Sequence, residues 1–99
     1  MHTDEAAVSL DALGHPARIA VYRTLVRAGD DGLAIGQLQD RVEGIPRSTL
    51  AHHLGKLVDA DLVVQRKQGT SVISTANYAR MNEVIAYLTD ECCVDAGTT

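Results

Sequence analysis

The chain has no tryptophan and no phenylalanine, and only three tyrosines, two prolines and two cysteines in 99 residues. So few aromatics leave the core to leucine, valine, isoleucine and alanine, side chains that suit helix packing. The two cysteines, Cys92 and Cys93, are adjacent, which excludes a disulfide framework; a reducing compartment keeps such thiols free. No apolar run approaches the ~20 residues that span a bilayer. The opening Met-His-Thr-Asp-Glu lacks the basic and apolar regions of a signal peptide, so a cytoplasmic protein without a membrane partner is expected. No Ser-His-Asp grouping stands at plausible positions, no glycine loop is built for phosphate, and the carboxylates are scattered. An enzyme is therefore not expected.

Ninety-nine residues suit one domain, 1–99, near the size at which a single core is adequate but modest, so help from a partner is expected. The formal charge of −4 argues at first against a nucleic-acid partner. Its distribution argues the other way. Between Ile45 and Val72, Arg47, Lys56, Arg66 and Lys67 stand against Asp59 and Asp61, a local balance of +2 that leaves −6 for the remainder. Positive charge gathered on one helix and one hairpin binds DNA locally, while an acidic body limits non-specific adhesion.

In chain order, Thr3 to Leu13 reads as a short helix with Thr3 as N-cap, acids Asp4 and Glu5 in the first turn, and Ala6, Leu10 and Leu13 along its apolar edge. Gly14 ends it. A second helix opens at Pro16, where the missing N–H is not needed, with Ile19, Tyr22, Leu25 and Val26 inward and Gly29 as its stop. Arg18, Arg23 and Arg27 are expected on its solvated face. A third helix runs from about Ala34 to Val42, with Ile35, Leu38 and Val42 inward, and Glu43-Gly44-Ile45 turns the chain.

From Ile45 to Leu62, apolar residues recur at Leu50, Leu54, Leu57 and Val58, the i, i+4, i+7, i+8 spacing of a helix with one buried stripe. The opposite face carries Arg47, Ser48, Thr49, His52 and Lys56, with no carboxylate before Asp59. Such a face suits phosphates and base edges. His53 lies nearer the stripe and is expected to orient the helix, whereas His2 and His15 are expected at the surface. Helix, glycine-containing turn, helix is the DNA-reading unit. Beyond it, Leu62–Arg66 and Ser71–Thr75 flank Lys67-Gln68-Gly69-Thr70, giving a hairpin with Arg66 and Lys67 at its tip, within reach of a minor groove. A last helix begins near Asn77, with Met81, Val84, Ile85, Leu88 and Cys92 in one stripe.

The run Ser48-Thr49-Leu50-Ala51-His52-His53-Leu54, with Leu57 and Asp61-Leu62-Val63, resembles the recognition helix and wing entry of the ArsR/SmtB winged-helix repressors. There the helix commonly reads Ser-Thr-Val-Ser, any residue, His-Leu; Ala51 replaces the second serine here. Leu13-Gly14-His15-Pro16-Ala17-Arg18 similarly matches the family's Leu-any-any-Pro-any-Arg, and the likeness covers roughly Leu10 to Cys93. The resemblance implies a mainly α winged helix-turn-helix with a small β-hairpin wing. It also implies a homodimer joined through the first and last helices, which spaces two recognition helices for a near-palindromic operator in double-stranded DNA.

Cys92 and Cys93 admit three readings: a small core hydrophobe with an incidental neighbour, a redox or persulfide pair, or a site for a soft thiophilic ion. Family sites narrow these by comparison. The third-helix Cys-Val-Cys box is replaced by Ala34-Ile35-Gly36, and no histidine follows His53 to build the zinc site of the last helix. The remaining Tyr87-Leu88-Thr89-Asp90-Glu91-Cys92-Cys93 resembles an arsenic-sensing branch with vicinal cysteines, minus the third cysteine that branch often adds. The resemblance implies a repressor released by trivalent arsenic, with no resident cofactor. Two thiols suit methylarsenite; arsenite needs a further ligand, and antimonite is a candidate too. On a regular helix successive side chains point about 100° apart, so ligation is expected to unwind the last turn. A winged helix devoted to protein–protein contact is the reading from another class.

Overall fold

The computed structural model describes residues 1–97. Its elements follow in the order α1 (Thr3–Leu13), α2 (Pro16–Ala28), β1 (Leu33–Ala34), α3 (Ile35–Arg41), α4 (Arg47–Asp59), β2 (Val63–Gln68), β3 (Ser71–Ala76) and α5 (Tyr78–Thr89). The fold is mainly helical, with a small antiparallel sheet as its wing.

Helix α1 begins one residue earlier than a Thr3 cap would place it. His2 is the N-cap, and its backbone N–H donates to Glu5 Oε1 at 2.9 Å. The buried edge of α1 is Ala6, Ser9 and Ala12; Leu10 is turned out. In α2 the inward residues are Val21, Tyr22 and Leu25, while Ile19 and Val26 are exposed. On α1 the buried edge is made of small side chains, which let the helix lie close to its neighbours; on α2 the inward stripe is rotated to Val21, Tyr22 and Leu25.

The core is a single cluster in which Val21 and Leu25 of α2, Leu38 of α3, Leu50 and Leu57 of α4, and Leu62 and Val63 at the start of the wing are all but inaccessible to water. Val58, assigned to the stripe, lies only at its margin. Thus the apolar side of α4 is the floor of the domain, and its opposite side is left to solvent.

The wing is more than a hairpin. A short strand, β1, pairs with β3 through Leu33↔Ser74 and Ala34↔Ile73, giving the sheet order β1-β3-β2. Two residues are too few to show an alternating pattern, so this strand is silent in the sequence. The turn of the β2–β3 hairpin is Gly69-Thr70, between the last pair Gln68↔Ser71.

The described chain is elongated, 59 × 26 × 22 Å. Its radius of gyration of 15.8 Å exceeds the ~13 Å of a compact domain of this length. Exposed apolar side chains accompany that shape: Val8 and Leu10 on α1, and Ile85 and Leu88 on α5, are 42–58% exposed. No helix among the described residues is long and apolar enough to cross a membrane.

Candidate nucleic-acid interface

Helix α4 starts after Pro46, whose extended backbone sets the turn, and its first turn contains no acid. Arg47, Ser48, Thr49, Ala51, His52 and Lys56 are all exposed. Ser48, His52 and Lys56 are four residues apart, so they lie in one row along the helix, with Arg47 and Thr49 flanking its N-terminal end. The free N–H groups of that end add the positive pole of the helix dipole. Each of the five α4 residues assigned to DNA therefore lies on the open side of the helix, away from Leu50, Leu54 and Leu57.

Arg47 is held in place by a residue the sequence did not flag. Gln39, on α3, accepts from Arg47 Nε at 2.6 Å and donates to the Ile45 carbonyl at 3.4 Å. One amide thus joins both helices and the turn between them. A lone glutamine eight residues upstream carries no sequence signal for this.

Behind the face lies His53, 6% exposed, whose Nδ1 accepts from Arg18 Nε at 3.2 Å. Its ring packs against His15, with centroids 4.9 Å apart. Arg18 is therefore not part of the solvated face expected of α2. Burial first, and then the neighbouring His15, Arg18 and His52, push the His53 ring below its ordinary value of 6.5.

The wing differs from expectation in one respect. Arg66 pairs with Ile73, two rungs back from the turn, and its guanidinium folds toward a 3-10 turn at Gly29–Asp31. There it donates to the carbonyls of Asp30 and Asp31 at 3.3 and 3.0 Å. The carbonyls after α2 need donors, and an arginine fork supplies them. Lys67 pairs with Val72, nearer the tip, and is exposed.

Cys92 and Cys93 are not on the last helix. Helix α5 ends at Thr89, and the chain continues in turns, with positive φ at Glu91 (58°) and Cys93 (66°). Cys92 N–H donates to Thr89 O at 3.1 Å. Leaving the helix changes the geometry of the pair: both thiols are exposed and the sulfurs lie 3.2 Å apart. This corrects the expectation that ligation must unwind a helical turn. Contact with the Cys93 thiol raises the Cys92 thiol above its ordinary 9.0. Among the described residues no cluster of three or more histidine, cysteine or acidic side chains could hold a metal ion.

The three-helix core, basic α4 and attached wing define a winged helix-turn-helix protein. A family model described as a helix-turn-helix domain matches residues 13–66, more than half of the chain, and the chain belongs to that family. It is 28% identical over 85 residues to the nodulation protein NolR of Rhizobium meliloti, covering 86% of this chain and 66% of NolR. The chain thus spans just under two thirds of that relative's length. An ArsR-like transcriptional regulator from Rhodococcus sp. RHA1 superposes with a TM-score of 0.78 at 24% identity, over 93% of this chain and 82% of that one. The homodimeric winged helix-turn-helix DNA-binding domain of Mb0332 from Mycobacterium bovis, a possible ArsR-family regulator, does so with a TM-score of 0.68 at 21% identity, over 97% and 87%.

Proposed function

We propose that the chain is a homodimeric, DNA-binding transcriptional repressor that releases its operator when a trivalent arsenical binds Cys92 and Cys93. The DNA half rests on the α4 face, where Arg47, Ser48, Thr49, His52 and Lys56 stand open above a packed leucine stripe, with Lys67 on the wing beside it. The homodimer is supported by the exposed Val8, Leu10, Ile85 and Leu88 on the terminal helices and by the elongated shape. A second copy covering them would remove apolar surface from water at ~25 cal/mol per Å².

The observation that carries the sensor half is the 3.2 Å approach of two exposed sulfurs just past the end of α5. Soft thiolates select thiophilic ions. Methylarsenite has two exchangeable hydroxyls. Each thiol gives its proton to one of them, two waters leave, two arsenic–sulfur bonds form, and arsenic stays trivalent. The exchange consumes no free thiolate in its net balance, so the raised Cys92 thiol does not oppose it. Closure fixes the turn after Thr89, and through it the end of the helix that would line the dimer seam.

The test is fluorescence anisotropy on a labelled operator duplex with reduced protein, titrated with methylarsenite and with arsenite. Release is expected, at a coupling of ~1–3 kcal/mol, and Cys92→Ser and Cys93→Ser should bind the duplex but no longer let go. Operator binding that ignores both arsenicals refutes the sensor half, and oxidant-driven release with a disulfide mass shift would replace it by a redox switch. Failure to retain duplex DNA at low salt refutes the DNA half and favours a protein-contact module.

A further inference from the structure

Behind the DNA-facing row of α4, one buried side chain has a role the reading above does not use. His53 is the buried polar residue of that helix, and its Nδ1 takes a hydrogen bond from Arg18 of α2, a residue that makes no ion pair among the described residues. We propose that His53 and Arg18 are a positioning pair that sets the orientation of α4, and that protonation of His53 releases it and weakens DNA binding. The proposal rests on the DNA-reading assignment of α4.

The argument is one of donors and acceptors. Arg18 has only donors to offer, so the bond exists while His53 Nδ1 carries a lone pair, with its proton on Nε2. A proton at Nδ1 removes the acceptor and sets a cation against the guanidinium. The groups around the ring cannot absorb that charge. His15 from the α1–α2 connection packs on it and His52 lies beside it on α4, with centroids 4.9 and 6.0 Å away. The cleft that Arg18 lines also holds Lys56 and Asp59 from α4 and Asp11 from α1, so the two carboxylates are shared with two cations. Histidine is the side chain whose charge changes near neutral pH. The lowered His53 value keeps the pair intact at neutral pH and opens it on acidification.

His52 is exposed on the DNA face of α4. It is common to every protein compared, so substitution at His53 isolates the contribution of the buried ring.

The experiment pairs operator anisotropy from about pH 8 to about pH 5.5 with NMR of the histidine rings and α4 amides over the same range. His53→Leu, which lacks an acceptor, is expected to bind about tenfold more weakly than the native protein at the upper pH. His53→Asn keeps an amide oxygen near the Nδ1 position and should recover most of that loss. On acidification native affinity should fall relative to His53→Asn, and the amides of residues 47–52 should move with the His53 ring in the native protein alone. A native-to-His53→Asn affinity ratio that is flat with pH overturns the proposal, as does a His53 titration that leaves those amides in place. If the native protein binds no duplex at either pH, the DNA assignment falls by itself, and the amide shifts still decide whether the pair positions α4.

Discussion

Replacing Gly32 by alanine tests the closest approach made at any glycine among the described residues. Gly32 sits before β1 with φ +68° and ψ −172°, a region that is essentially glycine's alone. A Cβ there would meet the Ser74 carbonyl oxygen at 2.5 Å, Ile73 Cγ2 at 2.6 Å and Thr75 Cγ2 at 2.7 Å. The first of these is backbone of the central strand and cannot swing aside. Holding a non-glycine residue in this conformation costs about 1–3 kcal/mol, and displacing packed neighbours adds about 1–3 kcal/mol. The expected loss of ~2–6 kcal/mol is a large share of the ~5–15 kcal/mol that holds a domain together. In urea denaturation followed by far-UV circular dichroism, with m about 1–2 kcal/mol/M, the midpoint should fall by at least about 1 M. All proteins are compared at one concentration, because self-association makes stability depend on it. Gly55→Ala is the control of opposite sign. It lies inside α4 with open space where its Cβ would stand, and should gain about 0.5–1 kcal/mol. A Gly32→Ala midpoint equal to that of the native protein would refute the close β1–β3 crossing.

Two further outcomes are expected. Arg47→Ala should weaken duplex binding and lower the magnitude of the log–log salt slope by about one, as loss of one phosphate contact does, read by anisotropy at several salt concentrations. Glu5 accepts the His2 N–H, and this bond, with Arg80 adding to it, holds its carboxyl below the ordinary 4.5. A depressed carboxyl contributes stability that is present above pH 4.5 and lost as pH falls through its lowered value. Glu5→Gln should flatten that acid limb in urea midpoints measured across the range.

What the sequence disclosed and what it concealed follow from the range of the forces involved. Helix α4 was legible because Leu50, Leu54 and Leu57 repeat with the helical period and Arg47 to Lys56 fill the other side, a purely local pattern. Gly14, Pro16, Gly29 and Gly69 mark their boundaries for equally local reasons. Contacts between distant segments left no such trace. The β1 strand, the Gln39 bridge to Arg47, the Arg66 fork on the Asp30 and Asp31 carbonyls and the burial of Arg18 against His53 all join residues whose spacing has no period. The cysteine pair was visible in the sequence as two adjacent thiols, but not its geometry. The stripe running through Leu88 to Cys92 extends the helical pattern past Thr89, yet the backbone leaves the helix there, with positive φ at Glu91 and Cys93.

Strand β1 also bears on how this molecule would meet a duplex. Leu33 and Ala34 lock the middle of the wing to the segment that leads straight into α3, and no linker intervenes. A wing on a tether would search for its groove after the helix had docked, losing orientational freedom a second time. If α4 and the wing both read DNA as proposed above, helix and wing arrive together, and a sequence that suits the helix but presents a groove of the wrong width is refused in a single encounter.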